Sequence, residues 1–200
     1  MKTILVIILS YLFGSIPWGL VIGKVFFHKD IRKEGSGNIG GTNAGRILGK
    51  PAGIAVILLD ALKGYFAMVL AYYLAKDAII FAGLASVIGH CFPIFVHFHG
   101  GKAVATTFGF FLGIATLVNG HIFWQFIFPV LCFLVILYLT KMVSLSSISA
   151  VFIEAVVSIF INTNKLVPVA VFILWILVTY RHKSNIERIK NGTESKIKWM

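Results

Sequence analysis

"GSGNIGGTNAGR", Gly35–Arg46, contains "GSGNIG", a letter-for-letter match to the G-x-G-x-x-G dinucleotide fingerprint. That pattern holds a nucleotide only where it follows a buried strand and opens a helix inside a βαβ unit. Here it follows an apolar run and a charged connector, "HKDIRKEG", and no acidic residue stands in a second strand to hold a ribose. The dinucleotide reading fails. A P-loop reading fails as well, because neither Gly-Lys pair, at Lys50 or Lys102, has a glycine at the required earlier position.

The surrounding composition decides the fold class. Over 200 residues the chain is 58% hydrophobic and only 12% charged, and its mean hydropathy is +0.93. A soluble domain carries roughly 25% charged residues. An all-α, polytopic transmembrane helix bundle is therefore expected, since about 20 apolar residues cross the hydrocarbon layer as helix. Apolar runs fall at residues 3–24, 52–75, 78–96, 104–118, 122–140, 145–161 and 165–180. They give about seven membrane helices, with the fourth short for a full span and a five-span arrangement as the alternative. The first run begins like a signal peptide, but it resumes in "IPWGLVIG" without a convincing cleavage site, so a retained first span is expected.

Charge placement predicts orientation. Under seven spans, Lys2, Lys76 and Lys165 fall on one side, and the other lysines and arginines, Lys198 included, fall on or near the opposite side. The positive-inside rule makes the crowded side cytoplasmic, with the N-terminus outside and the C-terminus inside. The formal charge of +11 then needs no nucleic acid. It serves topology, anionic lipid headgroups and anionic substrates. Cys91 and Cys132 lie in apolar runs without metal or disulfide spacing and read as small core hydrophobes.

Four polar segments, residues 25–51, 97–104, 141–146 and 181–200, converge on the cytoplasmic face of what is expected to be one domain spanning 1–200. In the first, glycines let backbone N–H groups crowd together beside Ser36, Asn38, Thr42, Asn43 and the planar cation Arg46. Such a nest suits an oxyanion such as phosphate, and a plain Gly/Asn turn explains the same letters equally well. The second, Gly100-Gly101-Lys102 within "GHCFPIFVHFHGGKAVATTFG", joins backbone amides, a helix start and an ammonium. Pro93 marks where the third helix bends or unwinds. His97 and His99 alternate with phenylalanines without a partner cluster, so they read as structural or interfacial and no metal site is expected. The third segment offers Ser144, Ser146 and Ser147 at a helix start, as anion donors or caps. The tail brings His182, Asn185 and Arg188 close to the membrane.

In order and spacing, "GSGNIGGTNAGR", "GHCFPIFVHFHGGKAVAT", "SLSS" and "RHKSNIERIKNGTE", with "LLDALKG" in the second run, resemble the bacterial acyl-phosphate-dependent glycerol-3-phosphate acyltransferase family (PlsY) across nearly the whole chain. The resemblance implies a multi-pass enzyme of the bacterial inner membrane that moves a fatty acyl group from acyl phosphate to the 1-hydroxyl of glycerol 3-phosphate. Lysophosphatidic acid and phosphate are the products, in the first acylation of phospholipid biosynthesis. Acyl phosphate, glycerol 3-phosphate and membrane lipids are the implied partners, no cofactor is needed in principle, and a monomer is compatible with the pattern. Ser36, Arg46 and Lys102 are implied in phosphate recognition. Asn38, Thr42, Asn43, the glycine backbone at Gly37, Gly40, Gly100 and Gly101, and Ser144 would complete the oxyanion contacts. His182 and Asn185 would orient or deprotonate the attacking hydroxyl, with His182 or a substrate phosphate as proton acceptor. The implied catalytic set is thus His182, Asn185, Lys102 and Ser144.

The chain departs from the family pattern at Ile39 and Gly41, where proline and alanine are commoner, and at Ala103, where glycine often follows the lysine. Asp60 and Lys63, three apart on one helix face, read as a structural ion pair. Glu154 inside the sixth run is either functional or hydrogen-bonded between helices. Glu187 reads as a solvated partner for Lys183 or Arg188. The rival function is a small anion or phosphate transporter, which should place its ligand groups near the midplane in repeated halves; no repeat is found.

Overall fold

The computed structural model describes residues 1–197, so Lys198 lies outside the described residues. Among these the chain forms helices and turns and no strand. Two compact units follow one another, Met1–Gly113 and a second from Ile114 onward.

In the first unit, α1 (Lys2–Gly14), α4 (Lys50–Leu74) and α5 (Ile79–Cys91) pack against one another. Small residues make the close approaches, as expected where lipid tails remove the hydrophobic drive between helices. Gly14 of α1 leaves no room for a Cβ against the Ser86 backbone of α5, and Gly89 of α5 leaves none against Tyr11. The short α3 (Gly41–Leu48) lies on α4. Helix α6 (Val104–Ile114) rests on α4 where Gly109 meets the Ala61 carbonyl and Gly64 meets that of Thr106.

The expected first span is broken. Helix α1 gives way to α2 (Trp18–Phe27) at a bend of 44°, because Pro17 cannot continue the ladder of hydrogen bonds. The Ile16 carbonyl exposed at the break accepts a hydrogen bond from Lys63 Nζ at 2.9 Å. Lys63 is 1% exposed and also pairs with Asp60 Oδ1 at 2.9 Å. One buried ammonium thereby serves the helix break and the ion pair expected from the spacing.

In the second unit, α7 (Phe128–Thr140) packs on α8 (Val143–Ile161), α8 packs on α9 (Leu166–Arg181), and α10 (Lys183–Lys190) touches both α8 and α9. Two π-helical stretches, Ala115–Asn119 and Phe123–Ile127, precede α7.

Four helices are long and apolar enough to cross a membrane, Lys50–Leu74, Lys76–Val96, Phe123–Thr140 and Val143–Ile161. The bent pairs α1–α2 and α9–α10 raise the number to six, while Val104–Asn119 is shorter, as its run of letters implies. Large apolar side chains such as Leu5, Ile57, Phe66, Phe160 and Ile173 stand exposed. Such a surface suits lipid tails, and the chain is a multi-pass membrane protein. Helix α5 ends at Cys91, just before Pro93, and a short 3-10 turn at Ile94–Val96 follows. Cys91 is buried and Cys132 half-buried, and neither forms a disulfide.

Candidate active site

The glycine loop of the first unit is organised from inside by Asn43. Its side chain, 1% exposed, donates to the carbonyls of Ile31 and Asn38 at 2.9 Å and of Glu34 at 3.3 Å. Its oxygen accepts the Ser36 N–H at 2.9 Å. Asn38 adds a local turn, its Oδ1 accepting the Gly40 N–H at 2.9 Å. Gly35 and Gly37 take left-handed backbone, with φ of 61° and 70°, which glycine adopts without steric cost. Upstream, Asp30 caps the 3-10 turn Ile31–Lys33 that buries Ile31. Both Asp30 oxygens accept from the Arg32 guanidinium, whose hydrogen bonds and charge hold that carboxyl down at about 2.

This scaffold leaves the chemical groups outward. Ser36, Thr42 and Arg46 are exposed and Asn38 is half-buried. Thr42 opens α3 in its first turn, where backbone N–H groups lack intrahelical partners. Arg46 follows four residues later on the same helix face.

The second loop is built from unusual backbone. His97, Phe98 and Ala103 all have positive φ, of 54°, 61° and 57°, each costing about 1–2 kcal/mol for an L-residue. Such strain persists only where the surroundings determine it. Ala103 therefore holds a backbone conformation that glycine would adopt more easily. Lys102 is half-buried and Gly101 buried just before α6 begins. His97 and His99 are exposed, and no group of three or more His, Cys, Asp or Glu side chains suited to a metal ion occurs among the described residues.

In the second unit, Glu194 is the hub. Ser144 Oγ donates to its Oε1 at 2.6 Å, Asn185 Nδ2 donates to the same oxygen at 2.7 Å, and Arg188 Nε donates to Oε2 at 2.8 Å. Burial pushes this carboxyl up, but the three donors and the arginine charge outweigh it and hold it below the ordinary glutamate range. His182, 2% exposed, closes α9. Its Nδ1 lies 2.7 Å from the Val178 carbonyl, and since a carbonyl only accepts, Nδ1 carries a proton. Ser146 and Ser147 turn back to carbonyls of their own helix, Met142 and Val143. Glu187 is exposed, and Arg188 pairs with Glu194.

Glu194 was not singled out from sequence. Its signal is the "NGTE" turn, in which Gly192 has a φ of 70° and reverses the tail after α10. Glu154, which the sequence offers as functional or hydrogen-bonded between helices, is fully buried and hydrogen-bonded by partners that the spacing does not point to. Gln125 Nε2 donates to its Oε1 at 2.6 Å, and Asn119 and Asn162 both donate to Gln125 Oε1 at 3.0 Å. Asn119 and Gln125 lie in the two π-helical stretches, so this network fastens irregular backbone to α8.

The first unit thus carries a glycine loop with an arginine and a left-handed loop with a lysine, and the second carries a buried histidine and a serine and asparagine that share one carboxylate oxygen. The family model for glycerol-3-phosphate acyltransferase matches residues 4–192. The chain belongs to the glycerol-3-phosphate acyltransferase family. It is 48% identical to the glycerol-3-phosphate acyltransferase of Bacillus subtilis (strain 168), over 98% of each chain. It is 47% identical to that of Enterococcus faecalis, over 98% of this chain and 93% of the relative. The crystal structure of PlsY (YgiH), an integral membrane glycerol 3-phosphate acyltransferase, in its glycerol 3-phosphate form superposes with a TM-score of 0.90 at 34% identity, covering 99% of this chain and 96% of that one. Its lysophosphatidic acid form gives 0.87 at 33% identity with the same coverage.

Proposed function

We propose that the protein transfers a fatty acyl group from acyl phosphate to the 1-hydroxyl of glycerol 3-phosphate at the cytoplasmic face of the bacterial inner membrane. The N-terminus lies outside and the C-terminus inside. The observation that carries this reading is the nearly full-length relationship to glycerol-3-phosphate acyltransferases, 98% of the chain at 48% identity.

Acyl phosphate is a mixed anhydride, so phosphate leaves readily. The substrate hydroxyl oxygen attacks the acyl carbon, an ester C–O bond forms, the carbon–oxygen bond to phosphate breaks, and lysophosphatidic acid and phosphate result. Positioning and charge neutralisation supply the acceleration. Arg46 and Lys102, with Ser36, Asn38, Thr42 and the N–H groups of Gly37, Gly40, Gly100 and Gly101, hold phosphate oxygens. Asn43 shapes the first loop from within and acts on substrate through Ser36 and Asn38. His182 Nε2 or a substrate phosphate accepts the hydroxyl proton, while Asn185 and Ser144, braced by Glu194, orient the acceptor. Phosphate groups gathered in polar loops suit a substrate pair of which one is a soluble dianion and the other keeps its tail in lipid.

The test uses purified protein in lipid with both substrates, comparing wild type, Arg46→Ala and Lys102→Ala, and repeating the assay with acyl-coenzyme A as donor. Product from acyl phosphate in wild type and a hundredfold or greater loss in the folded variants is expected. Equal activity in all three, or a preference for the thioester, contradicts the reading. Labelling of single cysteines placed at Lys165 and Lys183 in intact cells tests orientation: only the first should react with an impermeant reagent.

A further inference from the structure

Asp60 and His90 lie buried beneath the second loop, and the reaction scheme gives them no part. Asp60 is 2% exposed and His90 5% exposed. His90 Nδ1 lies 3.5 Å from Asp60 Oδ1, the oxygen that also receives Lys63 Nζ. The far edge of the ring faces the loop. A Cβ added at Gly101 would overlap His90 Nε2 and stand 3.0 Å from Cδ2 and 3.1 Å from Cε1. The backbone joins them as well, since the Gly101 N–H donates to the His90 carbonyl at 3.1 Å. Gly100 is seated on the same carbonyl, too close to admit a Cβ.

The loop needs such a support. Its backbone is left-handed at His97 and Phe98 on one side of Gly100–Lys102 and at Ala103 on the other, conformations that L-residues hold only under constraint from outside. Helix α4 runs for 25 residues, and Asp60 and Lys63 sit within it. The Asp60 carboxylate on that helix, paired with the Lys63 ammonium one turn away, stands against the ring at 3.5 Å.

We propose that Asp60 and His90 are positioning residues: the Asp60–His90 pair sets the Gly101 backbone, and with it the phosphate-binding geometry of the Gly100-Gly101-Lys102 loop. The inference rests on the reading of that loop as a phosphate site. The pair touches no reacting atom in this account and acts through Gly101.

The test is a double-variant cycle on the full chain in lipid, with glycerol 3-phosphate and palmitoyl phosphate varied separately. Gly101→Ala and His90→Ala should each raise KM for at least one of these substrates tenfold or more, with kcat changed less than threefold. Once the ring is gone, adding Gly101→Ala to His90→Ala should cost less than a further twofold. His90→Asn keeps a polar N–H on the side of Asp60 but lacks the far ring edge, so it should melt close to wild type and still show the raised KM. Asp60→Asn should shift KM in the same direction and add nothing to His90→Asn. Effects that multiply in the double variant, or a folded His90→Asn enzyme with wild-type KM values, overturn the proposal. The cycle is also read in thermal melting, which needs no turnover. Additive melting shifts refute the contact, whereas an inactive wild type with coupled shifts refutes the acyltransferase reading and leaves the support of the loop standing.

Discussion

Replacing Glu194 by alanine removes the acceptor of three hydrogen bonds, from Ser144, Asn185 and Arg188. The contributions differ. Arg188 is 42% exposed, so solvent screens its ion pair and its loss costs below about 1 kcal/mol. Ser144 and Asn185 are 3% and 6% exposed, and a buried donor left without its acceptor costs about 1–3 kcal/mol. Allowing for water that reaches the vacated space, the tail and the start of α8 lose roughly 2–4 kcal/mol of local stability. A loss of about 2 kcal/mol corresponds to roughly thirtyfold faster exchange of protected amides. Hydrogen exchange by mass spectrometry in lipid should show that acceleration in residues 141–147 and 183–196, with little change in α4 or α5.

The pH dependence has a definite sign. A folded-state carboxyl held below its ordinary value, as Glu194 is by its donors, contributes stability above that ordinary value. The contribution fades as pH falls through the folded value. Wild type should therefore loosen in this region on acidification below about pH 4.5, and Glu194→Ala should lack that step. Unchanged exchange and an unaltered acid transition in Glu194→Ala would refute the hub.

Three further outcomes follow from the same geometry. Asn43→Ala removes one acceptor and three donor contacts of a buried amide, so a stability loss of about 2–4 kcal/mol and a rise in substrate KM are expected, read by melting and steady-state kinetics. Ala103→Gly relieves a left-handed alanine at φ 57°, and after the extra chain entropy of glycine it should stabilise the chain by about 0.5–1 kcal/mol, seen as a raised melting temperature at undiminished activity. Gln125→Leu strips Glu154 of its donor and takes one acceptor from each of two amides that keep a second, for a loss of about 1–3 kcal/mol visible in thermal melting.

Much of the fold is legible in hydropathy because lipid demands long apolar runs. The expected 52–75, 122–140 and 145–161 meet Lys50–Leu74, Phe123–Thr140 and Val143–Ile161 within two residues. The break at Pro17 is not legible because its letters sit inside an unbroken apolar run, and Lys63, which donates to the Ile16 carbonyl at the break, comes from a distant helix. The glycine loops were located by their letters, but the inward direction of Asn43 was not. That direction depends on left-handed Gly35 and Gly37, and an asparagine in a Gly-rich turn has the same letters facing in or out. Glu194 and the Gln125 network escaped notice because their partners come from different helices, and no spacing rule connects residue 144 with 194 or 125 with 154. The Asp60–Lys63 pair was visible because both residues belong to one helix.

The most direct test of the central claim is product stoichiometry. Purified protein in lipid, given palmitoyl phosphate and glycerol 3-phosphate, should release one phosphate for each 1-acyl-glycerol 3-phosphate formed, with neither product appearing when glycerol 3-phosphate is withheld. Phosphate release that ignores glycerol 3-phosphate, or no ester product from well-folded protein, would contradict it.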